Sequence, residues 1–274
     1  MKFRPLFFVI SCSLLLISSF SIWKWGFKQS IDFSGGTVWE FQTTADIQKT
    51  FLENNVDIIS LNNQTVKFKS INQEEKLMLE SSFKKADPNF QELRFETLGP
   101  SLGKELMQKT VAAIILSSLF LLLFIGSKFK DFSFGASAIL AMFHDAFILI
   151  GAFSILGHFF GAELDALFVT ALLTTLSAST HDTIVTFDRI RELKRKNIKV
   201  EWLPLANQAV SEVIVRSINN SMTIIFMLLA LVALGGETTR WFATALLIGV
   251  VSGTYSSVAV AIPLVLFWKG RKKH

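Results

Sequence analysis

Six stretches of the chain are apolar over roughly the 20 residues that a helix needs to cross a bilayer. They lie near Leu6–Trp25, Leu106–Ile125, Phe132–Leu156, Leu167–Ile190, Val213–Leu234 and Phe242–Trp268. Between the first two, the long apolar runs give way to short alternations. There Gly35 and Gly36 mark a turn, and Val38, Glu40 and Phe41 begin a strand. ADIQKTFLENN reads as a short helix, and DIISLNN and QTVKFKS read as two strands joined at Asn62 and Asn63. Asn72 and Glu75 have the spacing of a capping box, which opens a helix over NQEEKLMLESSFKK. Asp87-Pro88-Asn89 breaks that helix, and FQELRFET is the last strand.

The order β-α-β-β-α-β is that of a ferredoxin-like split βαβ unit. The pattern thus divides the chain into a first membrane helix at 1–26, a ferredoxin-like α+β domain at 27–105, and a five-helix membrane domain at 106–274 with a polar loop at 189–211. The α+β stretch carries no catalytic constellation, which points to a binding or moving part and not an enzyme.

Composition agrees with a polytopic membrane protein, since hydrophobic residues make up 51% of the 274 and mean hydropathy is +0.46. A net charge of +5 raises the question of nucleic acid, which the placement of the basic residues answers. Lys2 and Arg4, Lys128 and Lys130, the run Arg189 to Lys199, and Lys269 to Lys273 all fall on one side if six spans alternate. The positive-inside rule then places both termini and the 189–211 loop in the cytoplasm and the α+β domain outside. Nucleic acid is unnecessary, and the basic loop is expected along anionic membrane lipid. Cys12, the single cysteine, lies in the first span, so no intrachain disulfide forms. Met1 to Pro5 and the apolar run after it also resemble a signal peptide, with Ser19 and Ser21 as small residues near a cleavage position. Trp23 and Trp25 as an interfacial belt, and five further spans, favour a retained anchor.

Within the fourth span, His181 and Asp182 are ionisable groups that must face protein or a wet cavity. At helical spacing, Thr170, Thr174, Ser177 and His181 form one row and Thr175, Ser179, Asp182 and Thr186 another, leaving Leu172, Leu173 and Leu176 for lipid. The third span holds His144 and Asp145 about 20 Å along the helix from its start, a second polar site. In the fifth span Arg216, Asn219, Asn220 and Thr223 share a face. Asp182 and Arg216 are equidistant in sequence from Lys199, so an antiparallel hairpin centred there puts them level, where an arginine helps keep the aspartate ionised. Ala245, Gly249, Gly253 and Ser256 form a small-residue seam read as close helix packing, and Pro263 should end or kink the last helix.

With these residues in view, the sequence resembles the SecF family of protein-translocase accessory subunits. IDFSGGT at 31–37, GPSLGKEL at 99–106, HDTIVTFDRIREL at 181–193 and GTYSSVAVAIPLVL at 253–266 carry the resemblance, in family order and spacing. It implies an RND-type half with six transmembrane helices and an external ferredoxin-like domain. It also implies a SecD-like partner, the SecYEG translocon, unfolded preprotein substrates, and proton-driven assistance to their export across the bacterial cytoplasmic membrane. No metal or cofactor is implied beyond the coupling proton. In the family the aspartate of the fourth-span motif and a later arginine serve the proton pathway, and these fall on Asp182 and Arg216. This chain has His181 where the family usually shows Asn, and Ser177 and Ala178 where it shows Gly-Tyr, so His181 either titrates in the pathway or replaces the Asn hydrogen bonds. Two other readings follow from the same residues: an RND-type exporter of lipids or small molecules, and a scaffold that holds a translocon without transport.

Overall fold

In the computed structural model, residues 4–62, 65–129 and 131–271 are described, so Lys2, Asn63, Lys130, Lys272 and Lys273 lie outside it. The chain forms two compact units, residues 29–112 and residues 1–28 with 113–274.

The helical unit opens with α1 (Arg4–Trp25), which leads into the other unit. There α2 (Ile31–Ser34) precedes β1 (Gly36–Gln42), followed by α3 (Ile47–Glu53), β2 (Ile58–Asn62), β3 (Thr65–Phe68), α4 (Gln73–Ala86) and β4 (Gln91–Leu98). Strand order is β2-β3-β1-β4, and every neighbouring pair is antiparallel. This is the sheet that a split βαβ order produces. Thr37, Trp39 and Phe41 point inward from β1, and Trp39 meets Phe41, Phe51, Phe83, Phe90 and Phe95 with ring centroids between 5.1 and 6.4 Å apart. Such pairs contribute about 0.5–1.5 kcal/mol each beyond area burial. The indole N–H, which burial would otherwise leave unpaired, donates to Glu92 Oε2 at 2.9 Å. The capping box of Asn72 and Glu75 is present in both directions.

α2 is an element that the pattern of alternation did not show. Ser30 caps it, and Gly35 at φ +70 ends it. A Cβ on Gly35 would lie 2.8 Å from Pro100 Cα, and one on Gly103 would lie 2.8 Å from Gly35 N. The 31–37 and 99–106 motifs therefore touch backbone to backbone, which only glycine permits.

The remaining helices are α5 (Pro100–Lys128), α6 (Phe132–Phe160), α7 (Ala166–Lys196), α8 (Trp202–Leu234), α9 (Glu237–Ser256) and α10 (Ile262–Arg271), with a π-helical turn at Ser257–Ala261 before α10. Among the described residues, five helical segments are long and apolar enough to cross a membrane by length and composition, the fifth running unbroken from α9 through the π turn into α10. The long α7 falls short because of its hydroxyls and charges. Residues 189–211, expected as a loop, are helical up to Lys196 and again from Trp202. Hydropathy marks where the apolar span ends, but ion pairs at helical spacing, Arg189–Glu192 and Lys196–Glu192, carry α7 beyond it.

A second correction concerns the leucines of α7. Leu172 and Leu176 are 5% and 3% exposed and pack with Met142, Phe153 and Phe168, not against lipid. The cause is position, since α7 is flanked by α6, α8 and α9 and has little surface to offer a bilayer. Its exposed row is the polar one, Thr170, Thr174, Ser177 and His181.

The basic ends of α5 and α7 and Lys269 of α10 gather at one end of the bundle. Lys128 at the end of α5 pairs with Asp188 of α7 at 3.1 Å, Arg189 of α7 pairs with Glu212 of α8, and Lys269 of α10 pairs with Asp131, the N-cap of α6. At the opposite end Trp25 stacks on His158 at 4.7 Å, and Leu164 N donates to Lys28 O. α1 is built into the bundle there and above it: a Cβ on Gly151 would fall 2.2 Å from Ser18 Cβ, and Tyr255 donates to Phe7 O at 2.9 Å.

Candidate functional site

Between two apolar clusters of the helical unit, one around Phe134, Phe187 and Val260 and one around Met142, Phe153 and Leu172, lies a polar layer. Asp145 of α6 is its centre and is fully buried. Three serines donate to its carboxylate: Ser179 of α7 at 2.5 Å, Ser252 of α9 at 2.7 Å and Ser256 of α9 at 2.5 Å. His144 Nδ1 lies 3.1 Å from Oδ1, and among the described residues its buried Nε2 has no hydrogen-bond partner. The carboxylate thus joins three helices by hydrogen bonds, and burial makes each of them costly to lose. The sequence points to His144 and Asp145 but not to their donors, and its seam reading accounts for Ser256 by packing alone. The seam does pack tightly, for a Cβ on Gly249 would lie 2.1 Å from Thr175 Oγ1 and one on Gly253 would lie 3.0 Å from Ser179 Cβ. That closeness brings Ser252 and Ser256 within reach of Asp145.

Asp182 stands one turn further along α7 from Ser179, half-buried. Its Oδ2 accepts from Ser217 Oγ of α8 at 3.2 Å. It lines a cavity of about 620 Å³ between α7, α8 and α9, with Thr174, Ser177, His181, Asn220 and Thr254 among its polar walls. Arg216 is not in that cavity. It is exposed and lines a neighbouring one of about 760 Å³ with Arg189 and Glu212. Among the described residues no ion pair joins Asp182 to Arg216, although they are neighbours in depth, as the contact of Asp182 with the next residue, Ser217, demonstrates. Asn219 is exposed on the same helix, and its carbonyl accepts from Thr223. The structure therefore gathers His181, Asp182 and Asn220 around one cavity, buries His144 and Asp145 in a separate layer, and leaves Arg216 and Asn219 facing outward. Among the described residues no cluster of His, Cys, Asp and Glu could hold a metal ion.

Five helical segments long and apolar enough to cross a membrane, two ionisable centres and a hydroxyl-lined cavity within their bundle, and a separate α+β unit define a polytopic membrane protein. A family model described as "Protein export membrane protein SecD/SecF, C-terminal" matches residues 78–271. Protein translocase subunit SecF of Thermobaculum terrenum is 37% identical over 98% of this chain and 93% of that protein. Protein translocase subunit SecDF of Thermus thermophilus is 32% identical over 98% of this chain and 38% of its own longer one. The crystal structure of that organism's SecDF, a translocon-associated membrane protein, superposes with a TM-score of 0.84 over 99% of this chain and 39% of that chain, at 31% identity. The chain belongs to the SecF family of protein translocase subunits, non-enzymatic components of protein export.

Proposed function

We propose that this subunit works with a SecD partner as a motor that uses the proton-motive force to assist preproteins leaving the SecYEG channel, and that Asp182 takes up and releases the proton. The observation that carries this reading is a carboxylate in α7, on a hydroxyl-lined cavity, that accepts from one serine and, among the described residues, makes no ion pair. A carboxylate placed so can exchange its proton with water in the cavity, and protonation changes what it can accept from Ser217 and from a nearby guanidinium. Arg216 is the guanidinium assigned to that pairing, and His181 on the same cavity is the side chain through which the proton enters or leaves. Each proton that crosses brings about 2.3 kcal/mol per 100 mV.

The exposed polar row Thr170, Thr174, Ser177 and His181, with Arg216, Asn219 and Asn220 on α8, is a poor surface for lipid. It is assigned to the SecD half, which would close the cavity. The basic end of the bundle is assigned to the cytoplasm and the α+β unit to the outside of the cytoplasmic membrane.

The test is export into vesicles bearing the SecD–SecF pair. Asp182→Asn should abolish the component that depends on the proton-motive force while the complex remains assembled. Undiminished force-dependent export would leave the subunit a scaffold.

A further inference from the structure

At the basic end of the bundle a cavity of about 580 Å³ opens between α6, α7 and α8, lined by Asp131, Phe132, Phe134, Arg191, Lys194, Arg195 and Trp202. We propose that it is a binding site for the phosphate of an anionic phospholipid headgroup. This inference rests on the membrane fold and not on the proton reading.

Charge is the first argument. Three basic side chains line the cavity against one carboxylate, and that carboxylate, Asp131, is taken by Lys269. Arg191 reaches Asp188 at 3.4 Å, but Lys128 holds the same carboxylate more closely, at 3.1 Å. Among the described residues Arg195 has no carboxylate partner. Lys194 is spent on the turn between α7 and α8, donating to Ile198 O at 2.6 Å and Val200 O at 2.7 Å.

The second argument is Trp202. Two ammonium groups approach its one indole, Lys194 at 5.3 Å and Lys269 at 4.8 Å from the ring. Each contact is favourable alone, but like charges gathered on one ring repel each other. An anion beside them relieves that repulsion, and two planar guanidinium groups suit a phosphate because each can donate two parallel hydrogen bonds.

Place in the bilayer selects the source of the phosphate. The cavity lies where spans end and aromatic side chains collect, with Phe132 70% exposed at its rim and Trp268 packed on Phe132 at 5.6 Å. That is the level of headgroups.

The experiment uses the assembled SecD–SecF complex in lipid nanodiscs and native mass spectrometry of the lipid that stays bound. Phosphatidylglycerol should be retained in preference to phosphatidylcholine. Arg195→Gln should weaken that retention about fivefold, the equivalent of the roughly 1 kcal/mol that a basic residue contributes near an anionic surface, and Arg191→Gln with it about fivefold again. Lys196→Gln removes the same charge at the same end of the bundle, but Lys196 pairs with Glu192 and does not line the cavity, so retention should hold. Equal retention of both lipids by the unaltered complex would overturn the proposal, whatever the variants do. An equal loss in Lys196→Gln would overturn it in favour of diffuse surface attraction. Millimolar inorganic phosphate binding as well in phosphatidylcholine discs as phosphatidylglycerol does in its own would overturn the lipid as source.

Discussion

Ser217 donates to Asp182 across the interface of α7 and α8, at 3.2 Å. The serine sits next to Arg216 in the chain, so the aspartate is one residue's rotation away from a guanidinium. If the two residues act in one step, Asp182→Asn and Arg216→Lys should each remove force-dependent export, the lysine because it lacks the planar fork. The double variant should be little worse than either, and additive losses in a vesicle export assay would separate the two residues into independent sites.

Asp145 calls for a different expectation, one of stability. Asp145→Leu leaves Ser179 and Ser252 buried without an acceptor, while Ser256 retains Gly253 O at 3.3 Å. Each orphaned hydroxyl costs roughly 1–3 kcal/mol. Asp145→Asn should lose much less, because hydroxyls can accept from the amide as well as donate to it. Thermal unfolding in detergent distinguishes the two, and equal midpoints would show that the polar layer adds nothing.

Gly249→Ala brings a methyl group to within 2.1 Å of Thr175 Oγ1, so α9 must move off α7. The expected penalty is about 1–3 kcal/mol. Combining it with Thr175→Ala should recover only part, since the Cβ of residue 175 would remain 2.8 Å away. Unfolding midpoints of the single and double variants check this.

How far the sequence reveals such features depends on what kind of information they need. The α+β unit was readable because strand alternation and the Asn72–Glu75 cap are local, and split βαβ order leaves few sheets to choose from. Spans were readable because hydropathy is a property of a window. Depth along the α7–α8 hairpin was readable too, through the distances from Lys199. Azimuth was not, for depth alone does not say whether Arg216 or Ser217 turns toward Asp182. The donors to Asp145 were hidden for a related reason. Serine hydroxyls are common in membrane helices, and nothing within α9 marks Ser252 and Ser256 apart from helix–helix packing that only the assembled bundle defines.

In the α+β unit the carboxylate of Asp87 is held down at about 2, chiefly by the backbone N–H groups of Thr44 and Asn89 and also by the Thr43 hydroxyl. A carboxylate depressed in the folded state stabilises the fold above its ordinary value near 3.8 and loses that contribution as pH falls through the folded value. Protection of the β1 amides against hydrogen exchange should therefore weaken between about pH 4 and pH 2, and Asp87→Asn should flatten that dependence. A variant with the same acid profile as the parent would assign the sensitivity to other groups.

Orientation is open to a direct measurement in a Cys12→Ser background. A cysteine at Lys69 should react with a membrane-impermeant reagent added to intact cells, and one at Lys196 should not. The reverse pattern would invert the assigned topology.

The π turn at Ser257–Ala261 gives the sixth span a phase offset. A helix turns about 100° per residue, so one additional residue in a turn rotates everything after it by about that angle. Before the turn, Ser252 and Ser256 are aimed at Asp145; after it, Ile262, Val265 and Leu266 fill the core and Lys269 meets Asp131. Pro263 has no N–H for the carbonyl of Ala259, so the wide turn falls where an α-helix would already lack a bond. Deleting one residue there would straighten the span and leave only one of its ends correctly aimed, so the length of this short segment is constrained as strictly as its composition.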